Sequence, residues 1–315
     1  MKIFGAGITG LIAANMFRSH NPVVYEIKDE LPDNNGEPIH FRSDEISWAT
    51  GMPFKKVQFQ KNIFSDGRLH DKCNIKMANA YSRKANAAIS GRTIWNLDSE
   101  CRYIPPNDFI KQISAGVDIE LNRGLGRDTL AMQLRNINDG NNMLPIISTI
   151  PMPSLMHCAD WKKPDFKYSP TFSLTCELDF PCDVYQTIYF PDAETDLYRA
   201  SIIGNKFIAE FMEPLEKDGE VDFKEMIIML LDKAFGINAY ELDIINEKSA
   251  MRYYGSIYND HVDETEAFIM AMTDKYGIYS LGESATWQYL CFDKVISDCH
   301  AIGHLIRIKN DYNIG

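Results

Sequence analysis

The residues best suited to chemistry stand near the two ends of the chain. Close to its start, Gly5-Ala6-Gly7-Ile8-Thr9-Gly10 follows the apolar run Lys2-Ile3-Phe4 and opens into the helical run Leu11-Ile12-Ala13-Ala14-Asn15-Met16-Phe17. Strand, glycine turn and helix in that order are what a dinucleotide-binding turn requires. Gly5 permits the tight turn, Gly7 lets the backbone approach a pyrophosphate, and Gly10 lets the helix pack closely on the strand. The helix start at Ile8 and Thr9 presents unpaired N–H groups and partial positive charge to phosphate. A second apolar run, Pro22-Val23-Val24-Tyr25, ends in Glu26, 21 positions beyond Gly5. A carboxylate there accepts hydrogen bonds from the hydroxyls of an adenosine ribose. Toward the other end, Lys275-Tyr276-Gly277-Ile278-Tyr279-Ser280-Leu281 runs into Gly282-Glu283, then Ser284-Ala285-Thr286-Trp287 and a helix from about Phe292 to Lys309.

Other reactive side chains are less ordered in sequence. Arg199 and Ser201 alternate with Tyr198 and Ala200, so one pair faces one side of a strand. Arg252-Tyr253-Tyr254 sets a guanidinium beside two phenols. Trp95, Asn96, Tyr185 and Gln186 complete the candidates, and each of these residues taken alone reads first as a packing aromatic or a surface side chain. His300 and His304 stand four apart on the last helix without the intervening Glu of a zincin, so they read as helix surface or core. No metal site, Ser/His/Asp arrangement or Walker motif is expected.

Elements to position these groups can be read along the chain. Alternation and β-branched or aromatic enrichment predict strands at Lys56–Phe59, Thr171–Leu178, Asp183–Phe190, Leu197–Ile203 and Lys206–Met212, the last two joined by a hairpin at Gly204-Asn205. Helices are expected at Asp44–Thr50 and Val221–Phe235, the latter ended by Gly236. The fold class is α/β: a Rossmann-type lobe with a parallel sheet and helices, plus an α+β lobe built on an antiparallel sheet. The cofactor lobe gathers 1–42, 112–158 and 264–315, and the substrate lobe 43–111 and 159–263.

Composition narrows the function classes. The 315 residues carry a net charge of −12, which argues against a general nucleic-acid binder. The charge is uneven: residues 51–105 hold ten Lys/Arg against four Asp/Glu, +6, leaving −18 for the remainder. Two readings fit that segment, a solvated face balanced elsewhere or a lobe that attracts an anionic substrate through Lys55, Lys56 and Arg83. Seven scattered cysteines without a Cys-x-x-Cys pair suit a reducing compartment. No apolar run is long enough for a membrane span, and a glycine turn at position 5 leaves no room for a signal peptide. A soluble, cytoplasmic protein is expected, with the oligomeric state open.

At Gly282-Glu283 and Ala285-Thr286-Trp287 the chain resembles glutathione-reductase-type flavoproteins, in the branch of the amine oxidases and UDP-galactopyranose mutases. Leu144-Pro145-Ile146-Ile147-Ser148-Thr149-Ile150-Pro151 resembles the strand by which that branch returns to its cofactor domain. Phe41-Arg42-Ser43-Asp44, Gly51-Met52-Pro53-Phe54-Lys55-Lys56 and Tyr198-Arg199-Ala200-Ser201 resemble small phage-encoded members implied in thymine hypermodification. The resemblance implies FAD as cofactor, with the final helix start facing the flavin's pyrimidine edge. Where the branch follows its ribose acid with arginine and a Gly-Gly pair, this chain has Lys28, Asp33-Asn34-Asn35-Gly36 and Arg42. Arg42 is the first choice for the pyrophosphate and Lys28 the second.

The implied activity is an FAD-dependent oxidase of an amine or amino-acid-type substrate. Hydride would pass to the flavin from a carbon next to nitrogen, and an amino-acid adduct on thymine, in DNA or a nucleotide, is one such substrate. Arg199, Arg252, Tyr253 and Trp287 are the catalytic candidates. Lys55, Lys56, Arg83, Trp95, Tyr185 and Arg199 are those for substrate binding. A redox-neutral sugar-nucleotide mutase and a non-catalytic flavin-binding protein are the alternatives. If the protein is phage-encoded, its compartment is the host cytoplasm.

Overall fold

Three-residue strands hold only when neighbours and covering helices fix them, and the first sheet supplies both. The computed structural model describes residues 1–31, 36–86, 94–138, 144–179, 183–213, 222–240 and 242–312. The Asp33-Asn34-Asn35 stretch, Arg92 and Val221 lie outside these. The chain begins with β1 (Lys2–Phe4), α1 (Ile8–Met16), β2 (Val23–Tyr25), α2 (Glu45–Thr50), β3 (Lys55–Ser65), β4 (Arg68–His70) and α3 (Ile75–Asn86). It continues through β5 (Glu100–Ile104), α4 (Phe109–Ser114), β6 (Asp118–Glu120), α5 (Arg127–Asn138), β7 (Ile146–Ser148), α6 (Met152–Cys158) and β8 (Lys167–Leu178). Then follow β9 (Tyr185–Tyr189), β10 (Leu197–Ile203), β11 (Lys206–Phe211), α7 (Phe223–Phe235) and β12 (Ile244–Tyr258). The described chain closes with α8 (Val262–Tyr276), β13 (Ile278–Ser280), α9 (Glu283–Thr286) and α10 (Lys294–Tyr312).

The first sheet has strand order β13-β7-β1-β2-β6, with all pairs parallel. Parallel sheets are stable when both faces are covered, and the side chains divide accordingly. Ile3, Val24, Ile147 and Tyr279 pack with Leu11 and Ile12 of α1 and with Val295, Cys299 and Ile302 of α10. Phe4, Ile146 and Ile278 face the other way, onto Leu130 of α5, Met152 and Leu155 of α6, and Phe268 and Met272 of α8.

The second sheet runs β12-β8-β11-β10-β9-β3-β4, with β5 also paired to β3. One face buries Leu174, Cys176, Ile188, Ala200, Ile202, Phe207 and Ala209 against Ile227, Leu230, Leu231 and Ala234 of α7. That helix starts where Asp222 accepts a hydrogen bond from Glu225 N at 3.1 Å and stops at Gly236, φ +67°. The opposite face carries buried polar residues, among them Ser173, Thr175, Thr187, Ser201 and Glu210.

The second sheet differs from the expectation in three ways. Strand β3 extends to Ser65, pairing first with β5 and then with β9, and the β3–β9 pair is parallel within an otherwise antiparallel sheet. Parallel pairing is open to β3 because it arrives from a distant part of the chain rather than through a hairpin. Strand β8 begins at Lys167. The fifteen-residue edge strand β12 has no forecast in the sequence, because register shifts between Ile245/Lys248 and Arg252/Ser256 break its alternation.

Candidate functional site

The glycine turn shows which of its positions the chain itself requires. Gly5 leaves β1 at φ +101°, and a Cβ there would lie 2.2 Å from Thr149 Oγ1. A Cβ on Gly10 would stand 1.9 Å from the carbonyl oxygen of Gly5. Both glycines are thus demanded by protein contacts. Gly7 is not: a Cβ there meets no atom within 4 Å, yet Gly7 lines the large cavity. Space left open above a turn at a helix start is a cradle for phosphate.

Two further contacts complete this end. Glu26 is buried and accepts hydrogen bonds from Ala6 N at 2.8 Å and Lys28 N at 3.1 Å, which pins its carboxylate beside the turn. Two such bonds leave lone pairs for a ligand hydroxyl. The late turn lies against the early one: Gly282 has φ +91°, and a Cβ there would stand 2.9 Å from Thr9 Cγ2. The two glycine motifs, about 270 positions apart in sequence, form one wall of one cavity. These residues fit a dinucleotide.

The cavity has a volume of about 1410 Å³. This exceeds the roughly 300–1,000 Å³ of ordinary small-molecule sites, so there is room for a dinucleotide and a second molecule. Its far wall is the polar face of the second sheet. There Glu210 accepts hydrogen bonds from Arg199 Nε, from Arg199 Nη2 at 2.6 Å and from Tyr198 OH at 3.0 Å. Burial works most strongly against the Arg199 charge, but Glu210 together with Tyr198 and Tyr81 raises the guanidinium pKa well above its ordinary value. Arg252 pairs with Glu37, which also accepts from Ser173 Oγ at 2.8 Å. Lys61 and Arg102 both pair with Glu100. His40 stacks on Phe59 with ring centroids 5.4 Å apart. Its pKa falls to about 4 because of burial first and then Arg199 and Arg102, so the ring is neutral at pH 7.

Of the residues singled out from sequence, Gly5, Gly7, Ile8, Thr9, Glu26, Arg42, Gly282 and Glu283 line the cavity beside the turn, and Gly10 packs beneath it. Arg199, Ser201, Arg252, Tyr254, Trp95 and Asn96 line the remainder. Asp293 anchors the Arg42 segment by accepting from Arg42 N at 3.0 Å and Ser43 N at 2.7 Å.

Other candidates stand apart from the cavity. Lys28 is exposed. Ala285 and Thr286 lie within α9, and Trp287 is fully buried. The left-handed backbone of Trp287 (φ 54°) turns its indole into the core, where Nε1 donates to Tyr258 O at 3.3 Å and the ring packs on Phe166 and Tyr254. Tyr253 is exposed and accepts from Tyr168 OH at 2.7 Å. Lys55 pairs at the surface with Asp183 at 2.5 Å and donates to Tyr185 OH at 3.1 Å, while Gln186 bonds Asn62 at 2.9 Å. Lys56 and Arg83 are exposed. From the basic segment it is Lys61 and Arg102 that reach the cavity instead. Neither they nor His40, Glu37 and Glu210 carry a local sequence signal, because their partners are distant strands. His300 and His304 are exposed on α10.

Fold and cavity together define a two-sheet α/β protein with a Rossmann-type nucleotide-binding half. Solved structures share this architecture over nearly the whole chain. Reduced UDP-galactopyranose mutase superposes with a TM-score of 0.69 at 14% identity, covering 98% of this chain and 93% of the mutase. A fatty acid isomerase from P. acnes, described as producing CLA, gives 0.55 at 11% identity over 97% of each chain. A geranylgeranyl bacteriochlorophyll reductase-like protein from Thermoplasma acidophilum gives 0.55 at 10%, covering 99% of this chain and 79% of its own. No protein-family model matches the sequence, and no curated protein matches it significantly. Among the described residues no helix is long and apolar enough to cross a membrane, and no group of three or more His, Cys, Asp or Glu could hold a metal ion.

Proposed function

We propose that the chain is an FAD-dependent oxidoreductase that oxidises a C–N bond of an amine or amino-acid-type substrate, with an amino-acid adduct on thymine as the specific candidate. The observation that carries the cofactor is the turn in which Gly5 and Gly10 serve the protein while Gly7 is kept bare toward the cavity. Bound FAD would supply the two-electron acceptor. The chain's own part is to hold it. The α1 start and the turn amides take the pyrophosphate, Glu26 takes the ribose, Arg42 lies on the same wall, and Gly282-Glu283 lies beside Thr9. Across the cavity, Arg199 and Arg252 are oriented by Glu210 and Glu37, which offset their charge, so they present fixed N–H donors to the second molecule.

A redox-neutral sugar-nucleotide mutase is the second reading, favoured by the likeness to UDP-galactopyranose mutase. Anaerobic addition of substrate separates the two. In the oxidase reading, substrate alone bleaches the flavin, and air then yields peroxide. Turnover that begins only after dithionite reduction and consumes no oxygen would reverse the order.

A further inference from the structure

Ion groups on the second-sheet wall do not all balance. Arg199 has Glu210, and Arg252 has Glu37. Lys61 on β3 and Arg102 on β5 have one carboxylate between them: both reach Glu100 Oε1, Lys61 Nζ at 3.5 Å. Each of these cations is only 10% exposed, while Glu100 is 37% exposed. Among the described residues no second carboxylate pairs with either. One unit of positive charge is therefore held largely out of water, which is costly unless a counter-charge arrives.

The strand pairing shows that this group is built into the wall. Val57 pairs with Arg102 and Phe59 with Glu100, so Lys61, two residues beyond Phe59, continues the same face. Phe59 carries the His40 ring on that wall. His40 shares this wall: burial comes first in pushing its pKa down, Arg199, Arg102 and Arg42 push the same way, and Glu210 opposes them. His40 Nδ1 is buried without a hydrogen-bond partner.

We infer that Lys61, Arg102 and Glu100 form a subsite for a compact monoanion of the substrate, a carboxylate. The assignment rests on reading this wall as the substrate side of the proposed enzyme. A single surplus charge matches a carboxylate. A phosphate monoester, near −1.5 to −2 at pH 7, would leave the site overcharged. Substrates lacking the carboxylate would forfeit a charge-assisted contact to Lys61 and Arg102.

Calorimetric titration of the protein as purified with benzoate, benzamide and phenyl phosphate, one ring with three head groups, tests the inference. Benzoate is expected to bind at least about tenfold more tightly than benzamide. Lys61→Met leaves Arg102 and Glu100 as a balanced pair and should remove that preference. Glu100→Gln adds a second surplus charge and should enlarge it. A purely structural role would not produce opposite shifts. Equal affinities for benzoate and benzamide, or variants that move in the same direction, would overturn the subsite. Tighter binding of phenyl phosphate than of benzoate would overturn the carboxylate assignment. Because the titration reads ligand binding, it can be answered even by protein that carries no FAD, whereas FAD content alone bears on the cofactor reading.

Discussion

The two walls of the cavity are made in different ways. On the parallel-sheet side the ligand-facing groups are largely backbone: a glycine turn, the start of α1 and a second glycine turn, with Glu26 as the principal side chain. On the second-sheet side they are charged side chains gathered from β3, β5, β10, β11, β12 and the Glu37–His40 segment. Backbone sites need particular residue types at short spacing. Side-chain sites need only that distant strands meet, and their cost is met by mutual neutralisation. The first wall should therefore tolerate loss of charge and resist added bulk, while the second should do the reverse.

The largest stability effect is expected at Glu210→Gln. It removes the carboxylate that neutralises Arg199, whose side chain keeps 29% exposure against 7% for Glu210, so the cost should fall at or below about 3–5 kcal/mol, that of breaking a fully buried pair from one side. Denaturant unfolding would measure this, and the double variant Arg199→Leu/Glu210→Leu should recover most of it. A loss well under about 1 kcal/mol for Glu210→Gln would show that the pair is effectively solvated.

A smaller effect depends on pH. The folded-state pKa of His40 is about 4 against an ordinary 6.5, so between these values the unfolded chain binds a proton that the native protein does not. Its contribution is fully present above pH 6.5 and is lost as pH falls toward 4. The loss amounts to at most roughly 3–4 kcal/mol. His40→Gln should flatten the stability profile over that window, and an unchanged slope would place the acid sensitivity elsewhere.

The smallest effect is expected at Lys55→Ala. Its partner Asp183 is exposed and the pair stands outside the cavity. Exposed ion pairs are screened and contribute little, so the melting temperature and the KM for any turned-over substrate should stay at wild-type values. A raised KM would bring the surface lysines back into substrate binding.

The same contrast explains how much could be read from sequence. Gly5, Gly7, Gly10 and Glu26 are legible because the turn's demands are local, and Arg199 with Ser201 is legible because alternation assigns a strand face. Lys61, Arg102 and His40 are not, since no short-range pattern forecasts that β3 turns from β5 to a parallel pairing with β9. Trp287 misleads for a related reason: its position after the late turn suggests the cavity, but a left-handed backbone sends the indole inward. Net charge over 51–105 does not separate Lys61 and Arg102, which line the cavity, from Lys55, Lys56 and Arg83, which stand outside it, because most of the segment's cations lie on the outer surface.

Whether the glycine turn holds FAD is decided by Gly7→Val. A Cβ at Gly7 meets no protein atom, so the variant should unfold within about 1 kcal/mol of the FAD-free wild-type protein. Yet the added branches occupy the approach of the pyrophosphate. Wild-type protein reconstituted with FAD should bind it stoichiometrically and release it on denaturation, and Gly7→Val should bind none. A Gly7→Val protein that retained stoichiometric FAD, or a wild-type protein that took up none, would contradict the account.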